Sequence, residues 1–325
     1  MNRRKVICNV AASIASAVAG TSFAAGYPER PVQLVVPFPP GGANDLLGRL
    51  VAQKIGTLLG GTVVVDNRPG GAAGSVGAQG VATSRPDGYT LLLGNTASLA
   101  INSSIYPNLK YDPLRDFEPI SMIGSSSLVL VVGKDVAAQD LASLVKMLKA
   151  SPGKYAYASA GAGTPLHLAA ELFKLQTGTE ITHVPYRGTA PVMSDLLTGR
   201  ITMMFDNTTT SIPHIRNGSL RAVAVTGSRR NPLLPNVPTL AEQGIKNAEI
   251  LVWFGLVAPR GTDAQVLSKL SNAASQAVLS DDLRPRLLEL DIQPWGSTPE
   301  EMKTYVGLEL RRWRDVVERA KIKLD

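Results

Sequence analysis

The stretch VQLVVPFPPGGANDLLGRL, residues 32–50, contains a strand, a stiff loop and the start of a helix. Four of its first five residues are apolar and three of them are β-branched valines, which is typical of a strand buried on both faces. After the prolines and glycines of the loop, apolar residues recur at helical spacing from Leu46 to Leu59. In open α/β sheets, ligands bind where a strand ends and its helix begins. The stretch therefore predicts an α/β fold with a binding loop near residues 37–45.

The first 24 residues have the features of a signal peptide. Basic residues 3–5 precede the apolar segment 6–19, and Ser22-Phe23-Ala24 offers small residues at a suitable cleavage site. We therefore expect cleavage after Ala24 and a periplasmic mature protein, exported by the general or the twin-arginine route. The only cysteine, Cys8, lies in this leader, so the mature chain has no thiol for disulfides, catalysis or metal binding.

The charge of the chain argues against nucleic acid as a partner. The formal net charge of +7 falls to +4 once the three basic residues of the leader are removed. The basic run at residues 311–314 lies among acidic residues of a C-terminal helical pattern, so we interpret it as a solvated face. A weak positive field would instead favour a small anionic ligand.

The length of the mature chain, about 300 residues, predicts two domains. Strand patterns alternate with helical patterns, which implies largely parallel sheets covered by helices on both faces. The predicted strands span residues 32–36, 62–66, 89–93, 120–132, 155–159, 181–184, 201–205, 220–226 and 250–258.

An internal repeat suggests that the two domains are similar lobes. PPGGANDLLGRLVAQKIG and then VVVDNRPGGA have the layout of ASAGAGTPLHLAAELFKLQTG and then ITHVPYRGTA. The long apolar runs 120–132 and 250–258 fit two strands that cross between the lobes and form a hinge. We therefore predict lobe 1 from residues 25–124 and 255–325, including a returning helix at 299–322, and lobe 2 from residues 125–254.

Each lobe places a glycine-rich loop before a helix. Gly41 and Gly42 let the backbone approach a ligand, and the first turn of a helix offers unpaired N–H groups at the positive end of its dipole. In the second lobe, Thr164 is a predicted N-cap and Pro165 the first helical residue. Two opposed anion sites would suit a ligand with a carboxylate at each end, or with a carboxylate and another polar group, although either loop alone also fits an ordinary turn. Neither loop has the full set of residues of a phosphate loop or a dinucleotide fingerprint.

Several blocks of the sequence resemble one family of receptors. They are PFPPGGANDLLGRLVAQKIG, VVVDNRPGGAAGSVGAQGVA, PDGYTLLLG, GAGTPLHLAAELF, HVPYRGTAPVMSDLLTGRI, LRAVAVTGSRR, PNVPTLAEQG and WFGLVAPRGT. In one unbroken order they are similar to the Bug-type periplasmic solute-binding receptors of tripartite tricarboxylate transporters. The resemblance implies a type II periplasmic-binding-protein-like fold, with two doubly wound lobes that close on a small organic acid. It also implies a monomer without cofactor or metal, with membrane transporter subunits as partners.

The resemblance also assigns residues of the first lobe to the ligand site. Phe38 would form a wall, while Gly42, Ala43 and Asn44 would offer main-chain N–H groups. Asp45 would orient the loop, bind water, meet a ligand amino group or act as an ordinary cap. After the third strand, Thr96 and Ser98 should adjoin the first loop.

In the second lobe, the corresponding loop runs from Ser159 to His167. Gly163 and Thr164 should meet the far carboxylate, and His167 either reaches the cleft or is a structural histidine. Asp206 and Asn207, at the end of another strand, would contribute through water or set specificity. Members of the family bind dicarboxylates, tricarboxylates, acidic amino acids, aromatic acids or nicotinate-like molecules, so the identity of the acid stays open.

Two other classes of function compete with a transport receptor. A ligand-sensing subunit for a membrane histidine kinase would need the same fold. A periplasmic enzyme acting on a carboxylic acid is disfavoured, because the sequence has no G-x-S-x-G elbow, no H-E-x-x-H motif and no closely spaced metal ligands.

Overall fold

The fold is that of a computed structural model, which describes residues 26–246, 248–320 and 322. The predicted signal peptide, its cleavage site after Ala24 and Cys8 lie outside the described residues. Within the described part of the chain, no helix is both long and apolar enough to cross a membrane.

The described chain forms a ten-stranded mixed sheet. Its strands are β1 (Val32–Val36), β2 (Val63–Asn67), β3 (Thr90–Asn95), β4 (Phe117–Gly133), β5 (Ala156–Ser159), β6 (Thr182–Pro185), β7 (Met203–Asn207), β8 (Leu220–Val225), β9 (Leu251–Pro259) and β10 (Gln293–Pro294). Each of the nine predicted strands is present, and β10 is absent from the predicted set. The main strand order is β2-β1-β3-β9-β4-β7-β5-β6. Strand β1 runs parallel to β2 and β3, and β5 runs parallel to β6 and β7.

Strands β4 and β9 connect these two parallel groups. Residues 117–127 of β4 pair with β9, and residues 128–133 pair with β7 and β8. Every pairing of β4 and β9 is antiparallel. The expectation of largely parallel sheets is therefore wrong, because the two long strands enter each parallel group in the opposite direction.

Ten α-helices cover the sheet in the described part of the chain. They are α1 (Ala43–Leu59), α2 (Ser75–Ala82), α3 (Asn102–Ile105), α4 (Leu141–Ala150), α5 (Pro165–Thr177), α6 (Thr189–Leu197), α7 (Thr208–Arg216), α8 (Ala264–Leu279), α9 (Leu283–Glu289) and α10 (Pro299–Ala320). A 3₁₀ turn at Ala72–Gly74 precedes α2, and a π-helical turn at Ala97–Ile101 precedes α3.

Helix α1 shows how the sequence pattern becomes packing. Leu47, Val51 and Ile55 recur every fourth residue and are buried on one face of the helix. The C-cap of the helix is Gly60, whose φ of +68° lets its N–H bond back to the carbonyls of the last turn. This burial fixes the axis of α1, and with it the direction in which the first turn points.

The long C-terminal helix α10 joins β4 to the segment that follows β3. It packs against β4 and against the π-helical turn that follows β3. Its buried Glu309 accepts hydrogen bonds from the indole N–H of Trp253 on β9 (2.8 Å) and of Trp313 (3.0 Å), both at Oε2. The carboxylate therefore ties α10 to one of the two connecting strands. The helix ends at Ala320, two residues before the predicted end.

Candidate functional site

The first loop, residues 37–42, joins β1 to α1. Gly41 has φ of +85°, a left-handed conformation that favours glycine, whereas Gly42 has φ of −87°. Gly42 is the N-cap of α1, and no side chain of the described residues caps that end. The N–H groups of Gly42, Ala43 and Asn44 have no acceptor among the described residues, while the next N–H bonds to Gly42 O. Three amides at the positive end of a 17-residue helix are therefore available to an anion.

Asp45 holds the first loop in place. It is 3% exposed, and its Oδ2 accepts hydrogen bonds from the Gly41 N–H (3.0 Å) and from Arg49 Nε (3.1 Å). Arg49 Nη2 also lies 2.9 Å from Oδ1. Burial alone would raise the pKa of this carboxyl, but the Gly41 amide, Arg49 and Asn67 outweigh burial and lower it. Of the roles predicted for Asp45, these contacts support the orientation of the loop.

Phe38 lies half-buried in the middle of the first loop. Its carbonyl accepts a hydrogen bond from Asn67 Nδ2 at 3.1 Å, which ties the loop to the end of β2. A Cβ on Gly74, in the 3₁₀ turn, would lie 3.3 Å from a ring carbon of Phe38. The ring therefore packs closely against the 3₁₀ turn, at a position where Gly74 has no side chain.

The end of β3 contacts the first turn of α1 through a residue absent from the predicted set. Asn95 Nδ2 donates to Asn44 Oδ1 at 3.1 Å. Thr96 and Ser98 are both fully buried. The Thr96 hydroxyl accepts the Trp253 N–H at 2.9 Å, and the Ser98 hydroxyl accepts the Asn95 N–H at 3.0 Å. Both predicted hydroxyls therefore brace the main chain behind the loop.

The second loop, residues 160–164, joins β5 to α5 and satisfies most of its own polar groups. Thr164 is the N-cap as predicted, because its hydroxyl accepts the His167 N–H and donates to Gly161 O at 2.7 Å. The Gly163 N–H donates to His167 Nδ1 at 3.2 Å. The two groups expected to meet the far carboxylate thus have internal partners in this conformation. The Ala162 N–H has no acceptor among the described residues.

Three aromatic rings stack behind the second loop. The centroids of His167 and His183 are 4.1 Å apart, and Tyr157 lies 4.8 Å from His183. The buried Ser159 hydroxyl is 2.7 Å from His183 Nε2. Burial lowers the pKa of both histidines to about 4, so both are neutral at pH 7. His167 is 4% exposed, which supports the prediction of a structural histidine over that of a residue reaching the cleft.

Asp206 and Asn207 differ sharply in exposure. Asp206 is fully buried, its Oδ2 accepts hydrogen bonds from the hydroxyls of Thr210 and Ser211 at 2.6 Å each, and burial raises its pKa. Asn207 is half-buried and is the N-cap of α7, without a side-chain hydrogen bond to that helix. Of these two predicted residues, only Asn207 is therefore partly open to solvent.

Two further groups near the loops are absent from the predicted set. Tyr106 Oη donates to Ala162 O at 3.1 Å, which connects the chain after α3 to the second loop. A Cβ on Gly188 would lie 3.8 Å from Pro39 Cγ, so the start of α6 approaches the first loop. Helix α6 has no side-chain cap, and the Thr189 N–H has no acceptor among the described residues. The Arg-Gly motif of the internal repeat is a sequence signal for this end of α6, whereas we find none for Tyr106.

Cavities of about 450 Å³ and 670 Å³ lie elsewhere, beside α10 at the outer end of β9. Both are lined in part by Arg260 and Lys303, and neither includes a residue of the two loops. Within the described residues, no group of His, Cys, Asp or Glu is arranged to hold a metal ion. The assignment of the site therefore rests on the loops and their free amides.

Comparison with known proteins agrees with this architecture. Residues 47–322 match the family described as "Tripartite tricarboxylate transporter family receptor". A structure of an R. palustris protein with adipate has a TM-score of 0.88 at 37% identity, and covers 91% of this chain and 99% of its own. The periplasmic binding protein BugD has a TM-score of 0.86 at 34% identity, with coverages of 91% and 99%. MatC from Rhodopseudomonas palustris with bound malate has a TM-score of 0.84 at 32% identity, with coverages of 90% and 100%.

These similarities extend over nearly the whole chain rather than over single motifs. They confirm the predicted fold class, a type II periplasmic-binding-protein-like α/β fold with two lobes and two crossing strands. The family consists of solute-binding receptors and not of enzymes. The chain belongs to the tripartite tricarboxylate transporter receptor family.

Proposed function

We propose that this chain is a periplasmic receptor that captures a small organic acid and delivers it to a tripartite tricarboxylate-type transporter. The acid would bind between lobe 1, residues 25–124 and 255–325, and lobe 2, residues 125–254. Export would follow cleavage of the leader after Ala24, and the receptor would act as a monomer. Membership in the receptor family supports this role.

The observation that carries the proposal is the row of free amides at the start of α1. Gly42, Ala43 and Asn44 offer three N–H groups, and the dipole of the helix adds a partial positive charge at the same place. A hydrogen bond to a charged acceptor contributes about 1.5–3 kcal/mol. Two such bonds to one carboxylate would therefore supply roughly 3–6 kcal/mol without any basic side chain. Asp45, Thr96 and Ser98 would support this end of the site from behind.

The other end of the ligand is proposed to contact lobe 2. The free amides there belong to Ala162 and to the start of α6. Ser159, Gly163, Thr164 and His167 would shape the second loop behind them, and Asn207 would form part of the specificity wall, with Asp206 beneath it. A short dicarboxylate would engage both ends at once. Similar proteins with adipate and with malate support this class of ligand.

Native mass spectrometry of freshly purified protein, followed by calorimetric titration, tests the proposal. We expect a retained small acid, and saturable binding of at least one member of a panel that includes adipate and malate. Adipamide is a matched control, because it keeps the carbon skeleton of adipate and lacks its charges. Equal binding of adipate and adipamide, or binding of no acid in a broad panel, would contradict a carboxylate receptor.

Two further measurements separate the receptor from the other classes. A receptor returns its ligand unchanged, so the acid recovered after long incubation should have the mass and the amount that were added. Uptake into vesicles that contain the membrane subunits should depend on the receptor. Uptake that is the same without it would argue for the sensing role.

A further inference from the structure

One peptide group in the second loop is held from both sides. The carbonyl of the Ala162–Gly163 peptide accepts the hydrogen bond of Tyr106 Oη at 3.1 Å. The N–H of the same peptide donates to His167 Nδ1 at 3.2 Å. Tyr106 belongs to the range predicted for lobe 1, and His167 to the range predicted for lobe 2. We call Tyr106, this peptide and His167 the peptide clamp.

The two hydrogen bonds of the peptide clamp depend on each other. A peptide group is planar, so its C=O and N–H point in opposite directions. The bond to His167 therefore fixes the orientation in which the carbonyl faces Tyr106. Gly163 has φ of +77°, and a Cβ there would lie 2.6 Å from Tyr106 Oη, so the close approach of the two lobes requires a glycine.

The protonation states of both side chains suit these roles at neutral pH. Burial raises the pKa of Tyr106 to about 12, so its hydroxyl stays a donor. Nδ1 of His167 accepts an N–H, so it carries no proton, and the neutral ring has its proton on Nε2. Burial lowers the pKa of His167 to about 4.

The groups that face the His167 ring come from three elements. His183 on β6 stacks against it at 4.1 Å, and Tyr157 on β5 lies 6.3 Å away. On α5 itself, Glu171 acts to raise the pKa of His167 and Lys174 to lower it. These two side chains bond to each other at 2.8 Å, and Tyr157 also bonds to Glu171. Their opposite charges largely cancel, which leaves burial as the main influence on the ring.

We propose that His167 is a positioning residue, which turns the Ala162–Gly163 peptide toward Tyr106 so that the peptide clamp stabilises the closed lobes, and that acid releases the clamp by protonating Nδ1. This inference rests on the proposed two-lobe receptor and adds a means of regulating it. A protonated Nδ1 presents a hydrogen to the Gly163 N–H, so the peptide must rotate. The hydroxyl of Tyr106 then loses its acceptor.

The direction of the pH effect follows from the lowered pKa. The unfolded chain takes up this proton near the ordinary histidine value of about 6.5, whereas the folded ring resists it until about pH 4. The stabilisation by neutral His167 is therefore complete above about pH 6.5 and is lost as the pH falls through 4. We expect the clamp to be intact at pH 7 and open in strong acid.

Amide NMR on the ligand-free protein tests the link between His167 and Gly163. In the wild type, the Gly163 amide resonance should titrate with a midpoint near pH 4. His167→Asn keeps an acceptor oxygen near the position of Nδ1 and cannot titrate, so its Gly163 resonance should move much less. His214→Asn is the control, because it replaces the third histidine of the chain, which lies on α7. Its Gly163 resonance should titrate like that of the wild type. An immobile Gly163 resonance in the wild type, or equal titration in His167→Asn, would overturn the proposal.

A double-mutant cycle at pH 7.5 tests the clamp without relying on acid. Because the predicted mature chain has no cysteine, dyes can be attached through Glu29→Cys in lobe 1 and Arg200→Cys in lobe 2. Tyr106→Phe and His167→Leu should each lower the closed-to-open ratio, seen by energy transfer, by about two- to tenfold. The closed-to-open ratio of the double variant should be no lower than that of the more strongly affected single variant, since both substitutions act on one peptide.

Additive effects in the cycle, or an unchanged ratio in Tyr106→Phe, would refute the clamp. The closed-to-open ratio of His167→Asn should be close to that of the wild type and well above that of His167→Leu. If the ring acted only through its packing, both variants would lower the ratio equally. The measurements use no ligand, so a failure to identify an acid would count against the proposed function and leave the result on the clamp unaffected.

Discussion

Replacement of Gly42 by valine is the most direct perturbation of the proposed anion site. Gly42 has φ of −87°, which a β-branched residue can adopt, so the substitution adds no left-handed strain. A Cβ at this position would have only Pro39 O near it, at 4.0 Å, and otherwise meets open space. The fold should therefore tolerate Gly42→Val, while the new side chain occupies space beside the free amides.

The expected loss of affinity follows from the amides that the valine would cover. If two N–H groups lose a charged acceptor at about 1.5–3 kcal/mol each, the binding free energy falls by roughly 3–6 kcal/mol. At about 1.4 kcal/mol for each factor of ten, the dissociation constant rises by roughly a hundredfold to ten-thousandfold. Gly42→Ala adds one methyl group in the same direction and should give a smaller loss.

Calorimetric titration with the acid that binds the wild type best is the assay, after circular dichroism and thermal melts show a folded variant. Gly307→Val is the matched control, because a Cβ at Gly307 on α10 would meet no atom of the described residues within 4 Å and lies outside both loops. It should bind the acid like the wild type. Wild-type affinity in a folded Gly42→Val protein would refute the reasoning, since the PPGGAND segment would then be only a turn.

Three other substitutions test the structure around the site. Asp45→Asn should weaken acid binding by less than about tenfold. Because the folded-state pKa of Asp45 is lowered, the stabilisation by its carboxylate is present above the unfolded-state pKa and is lost as acid protonates the folded carboxyl. The melting temperatures of Asp45→Asn and wild type should therefore converge on acidification. A difference in melting temperature that stays constant with pH would contradict this. Glu309→Leu should reduce the free energy of unfolding by roughly 2–5 kcal/mol, because two buried indole N–H groups lose their acceptor. The affinity for the acid should be unchanged. An unaltered denaturation midpoint would contradict this prediction. Gly163→Ala should weaken acid binding, since its Cβ would lie 2.6 Å from Tyr106 Oη, and unaltered calorimetry would show that the lobes need not approach so closely.

Local patterns in the sequence were sufficient to predict the strands but not the direction of every pairing. The segment 120–132 has β-branched residues near both ends and a length that indicates a strand, and β4 is indeed found there. Periodicity is the same for parallel and antiparallel strands buried on both faces. The antiparallel entry of β4 and β9 depends on how the chain crosses between the two groups, which is a tertiary property.

The same distinction applies to the loops. The free amides at the start of α1 follow from local features, because a glycine N-cap without a capping side chain leaves the first N–H groups unpaired. The capping role of Thr164 is equally local. The partner of the Gly163 N–H is different, because His167 presents Nδ1 only after its ring stacks on His183 from another strand. No spacing in the sequence indicates that stack, or the approach of Tyr106.

The two loops differ in a way that bears on the order of binding. At the start of α1, three adjacent amides face no acceptor among the described residues, so this surface can bind a carboxylate before the lobes close. At the second loop, the Gly163 N–H and the Thr164 hydroxyl already have partners, so its shape is set before a ligand arrives. Preformed donors on one lobe and a preformed loop on the other lower the ordering cost of binding. We therefore expect the acid to bind first at the start of α1, and lobe 2 to close over it as a rigid body that brings the Ala162–Gly163 peptide to Tyr106.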